Sequence, residues 1–271
     1  VIGPKADNVY NMLGDYTAPQ ADGTVVTVLD GIRQKVSKET RVLYAKGCAV
    51  RDSSRTGFKD AIETARNADA VVMVMGGSSA RDFSSEYEET GAAKVTINQI
   101  SDMESGEGYD RATLHLMGRQ LELLEEISRL GKPVVLVLIK GRPLLMEGAI
   151  QEAEAIVDAW YPGMQGGNAV ADVLFGDYNP AGRLTLSVPR SVGQLPVYYN
   201  TRRKGNRSRY VEEPGTPHYP FGYGLSYTTF SYTDMKVQVT EGSDDCRVDV
   251  TVTIQNQGTA DGDEVAQLYF R

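Results

Sequence analysis

Residues 101–111, SDMESGEGYDR, gather Asp102, Glu104, Glu107 and Asp110 into one short stretch. Gly106 and Gly108 flank Glu107 and free the backbone to present that carboxylate at a loop tip, and Tyr109 follows with an aromatic face. A carboxylate beside an aromatic platform suits sugars. Glycoside hydrolysis uses one carboxyl to protonate the leaving oxygen and another as nucleophile or base, while rings stack on the sugar's apolar face. The same residues also read as solvated charges of a polar loop that includes Asp82, Glu86, Glu88 and Glu89. The residue types alone leave both readings open.

Other chemistries fit poorly. Serine hydrolysis needs a histidine to take the serine proton, and the chain has only His115 and His218, neither beside a G-x-S-x-G elbow. MGGSSARD and GMQGGNA both miss the G-x-G-x-x-G spacing of a dinucleotide site. DGDE at 261–264 lacks the remaining ligands of a calcium loop and reads as a β-turn. Cys48 and Cys246 lie far apart in sequence and suggest neither a metal cluster nor a disulfide framework. No cofactor is expected. A net charge of -8 disfavours a nucleic-acid partner, since phosphate binding needs a basic face. The dense basic run TRRKGNRSRY at 201–210 is read as an exposed loop. The longest apolar run, PVVLVLI at 133–139, is far short of the roughly 18 residues a membrane span needs.

The elements that must position Glu107 follow from periodicity. From residue 24 to about 188, short apolar runs alternate with amphipathic stretches, the pattern of parallel strands joined by helices. Phe58, Ala61, Ile62 and Ala65 recur at helical spacing, and Ala70 to Met75 follow as a strand buried on both faces. Leu116, Gln120, Leu123, Leu124, Ile127 and Leu130 form one helical stripe, Gly131 caps it, and Pro133 to Ile139 is the next strand. A third unit gives a strand to Trp160, a helix through Ala169 to Leu174 and a short strand at Arg183 to Val188.

These patterns predict a three-layer α/β/α sandwich with a mostly parallel sheet. Ligands of such sheets bind beyond the carboxyl ends of the strands, so the loops after Met75, Ile139 and Trp160 are the ones of interest. The longest of them, from Gly76 on, contains Glu107.

The texture changes after Val188. A Pro-, Gly- and Tyr-rich stretch reads as an extended connection, and from Phe230 an alternating pattern predicts about three or four strands of an immunoglobulin- or fibronectin III-like sandwich. The expected division is 1–199 for the α/β sandwich, 200–229 for the linker and 230–271 for an incomplete all-β segment. Val1 opens on VIGP, the tail of a strand, which points to a processing boundary, and the unfinished sandwich marks the chain as a part of something longer.

Taken in order, VIGPKADNVYNMLGDYT, YAKGC, SGEGYDR, GKPVVLVLIKGRP, AWYPGMQGGNAVADVLFGDYNPAGRLTLSVP and HYPFGYGLSYTTF closely resemble glycoside hydrolase family 3, in particular its β-glucosidases. The resemblance covers Val1 to about Thr229. It implies that residues 1 to about 199 are the family's second domain, the (α/β)6 sandwich, that Glu107 is the general acid/base, and that Tyr109 lines the aglycone side of the site. It also implies a retaining exo-acting β-glycosidase with a β-linked glucoside or oligosaccharide as substrate. The nucleophilic aspartate belongs to an N-terminal (β/α)8 barrel that does not precede Val1, so the chain by itself is expected to be inactive. A β-xylosidase or broader β-glycosidase is the alternative, and a non-catalytic sugar-binding module is a second. Family habit suggests a secreted or periplasmic location. Glu104 and Asp110, as negative neighbours, would help to raise the pKa of Glu107.

Overall fold

A computed structural model describes residues 1–18, 20–80, 89–90, 102–106, 108–200, 210–242 and 245–270. The basic run at 201–209 lies outside them. The helices are α1 (Val9–Leu13), α2 (Val28–Lys35), α3 (Phe58–Arg66), α4 (Gln120–Ser128), α5 (Glu147–Glu152) and α6 (Gly166–Phe175). Strands β1 (Val71–Gly76), β2 (Val134–Ile139) and β3 (Ala155–Asp158) form a parallel sheet in the order β1-β2-β3. Val71 pairs with Val134 and Gly76 with Ile139, and Val135 with Ala155. Beyond β1 the sheet continues through single parallel bridges from Ile2 to Met73 and from Ile2 to Ala45. VIGP is thus a strand end, as its sequence suggests.

Alternation along the strands builds two cores, one on each face. Met73, Met75, Leu136 and Leu138 pack with Phe58, Ala61 and Ala65 of α3, Leu123, Leu124 and Ile127 of α4, and Ala149 of α5. Val74, Val137 and Ile139 pack on the opposite face with Met12 of α1, Val28 and Ile32 of α2, and Val170 and Ala171 of α6. With helices on both sides the central strands need no polar face, which is why they read as unbroken apolar runs. On the second face α2 and α6 nearly touch: a Cβ on Gly31 would stand 2.1 Å from the Gly167 carbonyl oxygen. Lys35 Nζ secures the crossing by bonding Asp172 Oδ1 at 2.6 Å.

The strand expected at Arg183 to Val188 is not one. Only Val188 makes a bridge, antiparallel to Tyr219, although Leu184 N donates to the Tyr223 carbonyl at 2.8 Å and Gly222 N to the Leu184 carbonyl at 2.7 Å. Pro220 sits in the middle of the partner segment without an N–H to give, so no continuous ladder forms.

Past residue 229 the described residues contain two strands, β4 (Phe230–Glu241) and β5 (Cys246–Asn256), paired as an antiparallel hairpin with an irregularity between Thr233 and Lys236. That is fewer than the three or four expected, and a hairpin alone does not specify an immunoglobulin-like sandwich. Residues beyond it fold back on the segment that follows α6. Arg183 Nη2 bonds Glu264 Oε2 at 2.7 Å, and Asn179 Nδ2 donates to the Asp261 carbonyl at 2.8 Å.

Candidate active site

The loop of interest begins where β1 ends, and Gln120 fixes that end. Gly76 N donates to Gln120 Oε1 at 2.9 Å, and Gln120 Nε2 returns a bond to the Gly76 carbonyl at 2.9 Å and another to the Val50 carbonyl at 3.2 Å. A fully buried amide with both ends engaged holds the strand tip, α4 and the segment at Val50 in register.

Ser78 and Ser79 come next, both buried. The Ser78 carbonyl accepts Glu104 N at 2.7 Å and Ser105 N at 3.2 Å, so the far limb of the loop returns onto its near limb. Ser78 Oγ donates to Asn11 Oδ1, and Ser79 Oγ accepts Asp15 N at 3.2 Å, which joins the near limb to the segment around α1. Two bonds to residues 50 and 51 complete the seat: Val50 N donates to Asp102 Oδ1 at 2.9 Å, and Arg51 Nη1 to the Met103 carbonyl at 2.7 Å.

Glu107 lies outside the described residues, but its neighbours are placed. Gly106 and Gly108 have φ of +106° and +81°, the left-handed region where an L side chain is strained. A Cβ on Gly106 would also stand 2.7 Å from the Met103 methyl carbon. The glycines therefore answer to backbone shape, as the sequence suggests. Tyr109 is half-buried, with the Arg51 guanidinium 5.8 Å from its ring centroid in a cation–π arrangement.

Glu104 is not a solvated loop charge, and Asp102 is half-buried with one oxygen engaged by Val50 N. The Glu104 side chain is 0 % exposed and its Oε2 is paired with Arg111 Nη1, while Arg111 Nη2 holds the His115 carbonyl. Arg111 thus offsets the charge of Glu104, one of the two negative neighbours named above. Asp110 is exposed. Beneath the loop, Lys5 is fully buried, and its Nζ has no hydrogen-bond partner among the described residues. Burial lowers the Lys5 pKa to about 7, against the opposing pull of Glu104 and Asp102.

The loops after β2 and β3 carry a second buried cation. Lys140 Nζ lies 2.8 Å from the Asp158 carboxylate and 3.7 Å from the Trp160 ring centroid, and Trp160 itself has φ of +53°. Burial pushes the Lys140 pKa down, with Asp158 opposing. Among the described residues no group of three or more His, Cys, Asp or Glu side chains is placed to hold a metal ion.

Sequence reasoning missed Lys5, Arg51, Asp15 and the Glu104–Arg111 pair. Only Gln120 left a signal, as the one polar residue in the apolar stripe of α4.

Residues 1–227 match the Glycosyl hydrolase family 3 C-terminal domain. A β-xylosidase of Formosa agariphila is 41 % identical over the whole chain, and a periplasmic β-glucosidase of Salmonella typhimurium is 36 % identical over the whole chain. The chain spans only 35 % and 36 % of those relatives' lengths. Among solved structures, a β-glucosidase from Erythrobacter marinus superposes with a TM-score of 0.77 at 36 % identity, over 95 % of this chain and 34 % of that one. The β-glucosidase from Listeria innocua in complex with isofagomine gives 0.74 at 30 % identity, over 94 % and 33 %. A loop tied at both limbs to the carboxyl end of β1, on a sandwich shared with these enzymes across nearly its full length, leads to one assignment: the chain belongs to glycoside hydrolase family 3, and residues 1–227 are its C-terminal domain.

Proposed function

We propose that this chain is the acid/base-bearing part of a retaining, exo-acting β-glycosidase that removes terminal non-reducing β-D-glucosyl residues. The observation that carries the reading is the seating of the loop around residue 107. Its limbs meet at the Ser78 carbonyl just past β1, where an open α/β sheet takes its ligands. Glu107 is the general acid/base, Tyr109 lines the aglycone side, and the nucleophilic carboxylate comes from an N-terminal (β/α)8 barrel. The division into 1–199, 200–229 and 230–271 is retained as part of this reading.

In the first step the nucleophile attacks the anomeric carbon while Glu107 gives its proton to the departing glycosidic oxygen, leaving a glycosyl ester. In the second, the Glu107 carboxylate takes a proton from water, and that water's oxygen replaces the ester at the same carbon. Retention requires the two carboxyls about 5–5.5 Å apart, so Glu107 without the barrel completes neither step. The isolated chain is accordingly inactive.

The test is Glu107→Ala in the full-length enzyme. Turnover of glucosides with poor leaving groups should fall about 10²–10⁴-fold, that of strongly activated aryl glucosides far less, and azide should restore rate by forming β-glucosyl azide. Wild-type rates on cellobiose would overturn the role and leave the non-catalytic sugar-binding reading.

The 41 % identical β-xylosidase favours a second substrate reading, a β-xylosidase. Comparing kcat/KM for matched aryl glucosides and xylosides decides between them. A periplasmic or secreted location is supported by the name of the Salmonella relative, and no helix among the described residues is long and apolar enough to cross a membrane. Cell fractionation checks it.

A further inference from the structure

Three ionisable side chains are buried in or beneath the loop that carries Glu107, although a polar surface loop needs none of them. Glu104 is three residues before Glu107 and Arg111 four after, so their pairing closes residues 104–111 into a loop within the loop. The Glu104 and Arg111 side chains are 0 % and 6 % exposed. Glu104 Oε1 rests against the backbone of Gly77, where a Cβ would stand 2.0 Å away, so no other residue fits at 77 without displacing the carboxylate. Arg111 reaches forward to the His115 carbonyl with its second nitrogen. Lys5 supplies further positive charge from below.

Taking charges out of water is costly, and a buried ion pair adds little net stability over apolar packing. Such a pair does, however, define one geometry. Arginine is suited to that, since its planar donors fix direction as well as distance, and here one nitrogen takes Glu104 Oε2 while the other takes the His115 carbonyl.

We propose that the Glu104–Arg111 pair is a positioning clamp that sets the height and orientation of the loop tip, so that the Glu107 carboxyl meets the glycosidic oxygen. Neither residue is catalytic; both act through Glu107, and the inference rests on the acid/base reading of that residue. Glu104 N is anchored to the Ser78 carbonyl, so one end of the clamp is fixed two residues past the end of β1. The other end, Arg111, leads through Leu114, whose carbonyl accepts Leu145 N at 2.9 Å, to the segment after β2. The clamp therefore links the segment just past β1 to the segment that leads from β2 to α5, and the tip inherits its position from both.

The experiment uses the full-length enzyme with Glu104→Gln, Arg111→Met and Arg111→Lys. A displacement of about 1 Å at a reacting group costs on the order of 10²-fold. We expect Glu104→Gln and Arg111→Met to lose about that factor in kcat/KM on glycosides with poor leaving groups, which need the proton. Dinitrophenyl glycosides, which do not need it to depart, should keep near wild-type kcat/KM, and inhibition by free glucose should be unchanged. Arg111→Lys, which keeps the charge and loses the fork, should fall between.

An equal loss on both substrate classes would mean general loss of structure and would overturn the clamp. So would wild-type kinetics in Glu104→Gln and Arg111→Met. If those two variants do not fold, Arg111→Lys decides alone by the same leaving-group contrast. Glu107→Ala, run in parallel, separates the claims: a normal leaving-group profile in that variant removes the acid/base reading. The expected profile there, with no contrast in the clamp variants, removes only the clamp.

Discussion

Lys5 and Lys140 occupy matching places and are held in opposite ways. Each follows a strand of the parallel sheet at its carboxyl end, and each is almost fully buried, at 0 % and 1 % exposure. Lys140 has a carboxylate at 2.8 Å and an indole face at 3.7 Å. Lys5 has neither, only the more distant fields of Glu104 and Asp102. The first is a finished tether between β2 and the end of β3. The second is a charge stored below a loop, at a cost in stability, where it biases carboxylates that belong to that loop. The same residue type thus closes an ion pair at one strand end and, at another, lies buried with no hydrogen-bond partner among the described residues.

Three substitutions break or sharpen this contrast. The largest effect is expected for Lys140→Met, which leaves Asp158 without its cation and removes the contact with Trp160. Stability should fall by about 3 kcal/mol in urea unfolding. A change below about 1 kcal/mol would show that the tether is not what holds the strand ends together.

Lys5→Met should act in the opposite direction, raising stability by roughly 1–3 kcal/mol at pH 6. The pH dependence follows from the folded pKa of about 7 against an ordinary value of 10.5. Below about 7 both states carry the proton and the full burial cost is felt. Between about 7 and 10.5 the unfolded chain binds a proton that the folded one has given up, so the wild type gains stability as pH rises. The advantage of Lys5→Met should therefore shrink from pH 7 to pH 10. An advantage that grows with pH would mean that Lys5 is held charged.

The smallest effect is expected for Asp158→Asn, a loss of about 1 kcal/mol. The amide oxygen still accepts from Lys140, whose lowered pKa lets it shed its proton more readily than an exposed lysine. A loss equal to that of Lys140→Met would show that the ion pair, not the contact with Trp160, supplies the tether.

The sandwich was largely legible because its signals are local. Met73 and Leu136 belong to strands covered on both sides, and Phe58, Ala61 and Ala65 repeat at helical spacing, so neighbours along the chain were enough to find them. Arg183 to Val188 misled because its apolar alternation is real while its partner contains Pro220, which pairing rules only penalise once the two segments are known to meet. The region around Glu107 was legible in type and not in environment. Glu104 and Asp102 look like any loop carboxylates until the fold brings Arg111 to one and the Val50 amide to the other. Lys5 gave no periodic signal at all, because burial at a strand end depends on what the distant loop lays over it.

Arg51 bears on how the protein can be redesigned. One side chain holds the Met103 carbonyl with one nitrogen while its guanidinium carbon lies 5.8 Å from the Tyr109 ring centroid. A library that varies position 109 to change leaving-group preference would thus also vary the load on the backbone at 103. Favourable variants at 109 should be sought jointly with position 51, since a smaller ring or none leaves the guanidinium free to swing and take the anchor of the loop's far limb with it.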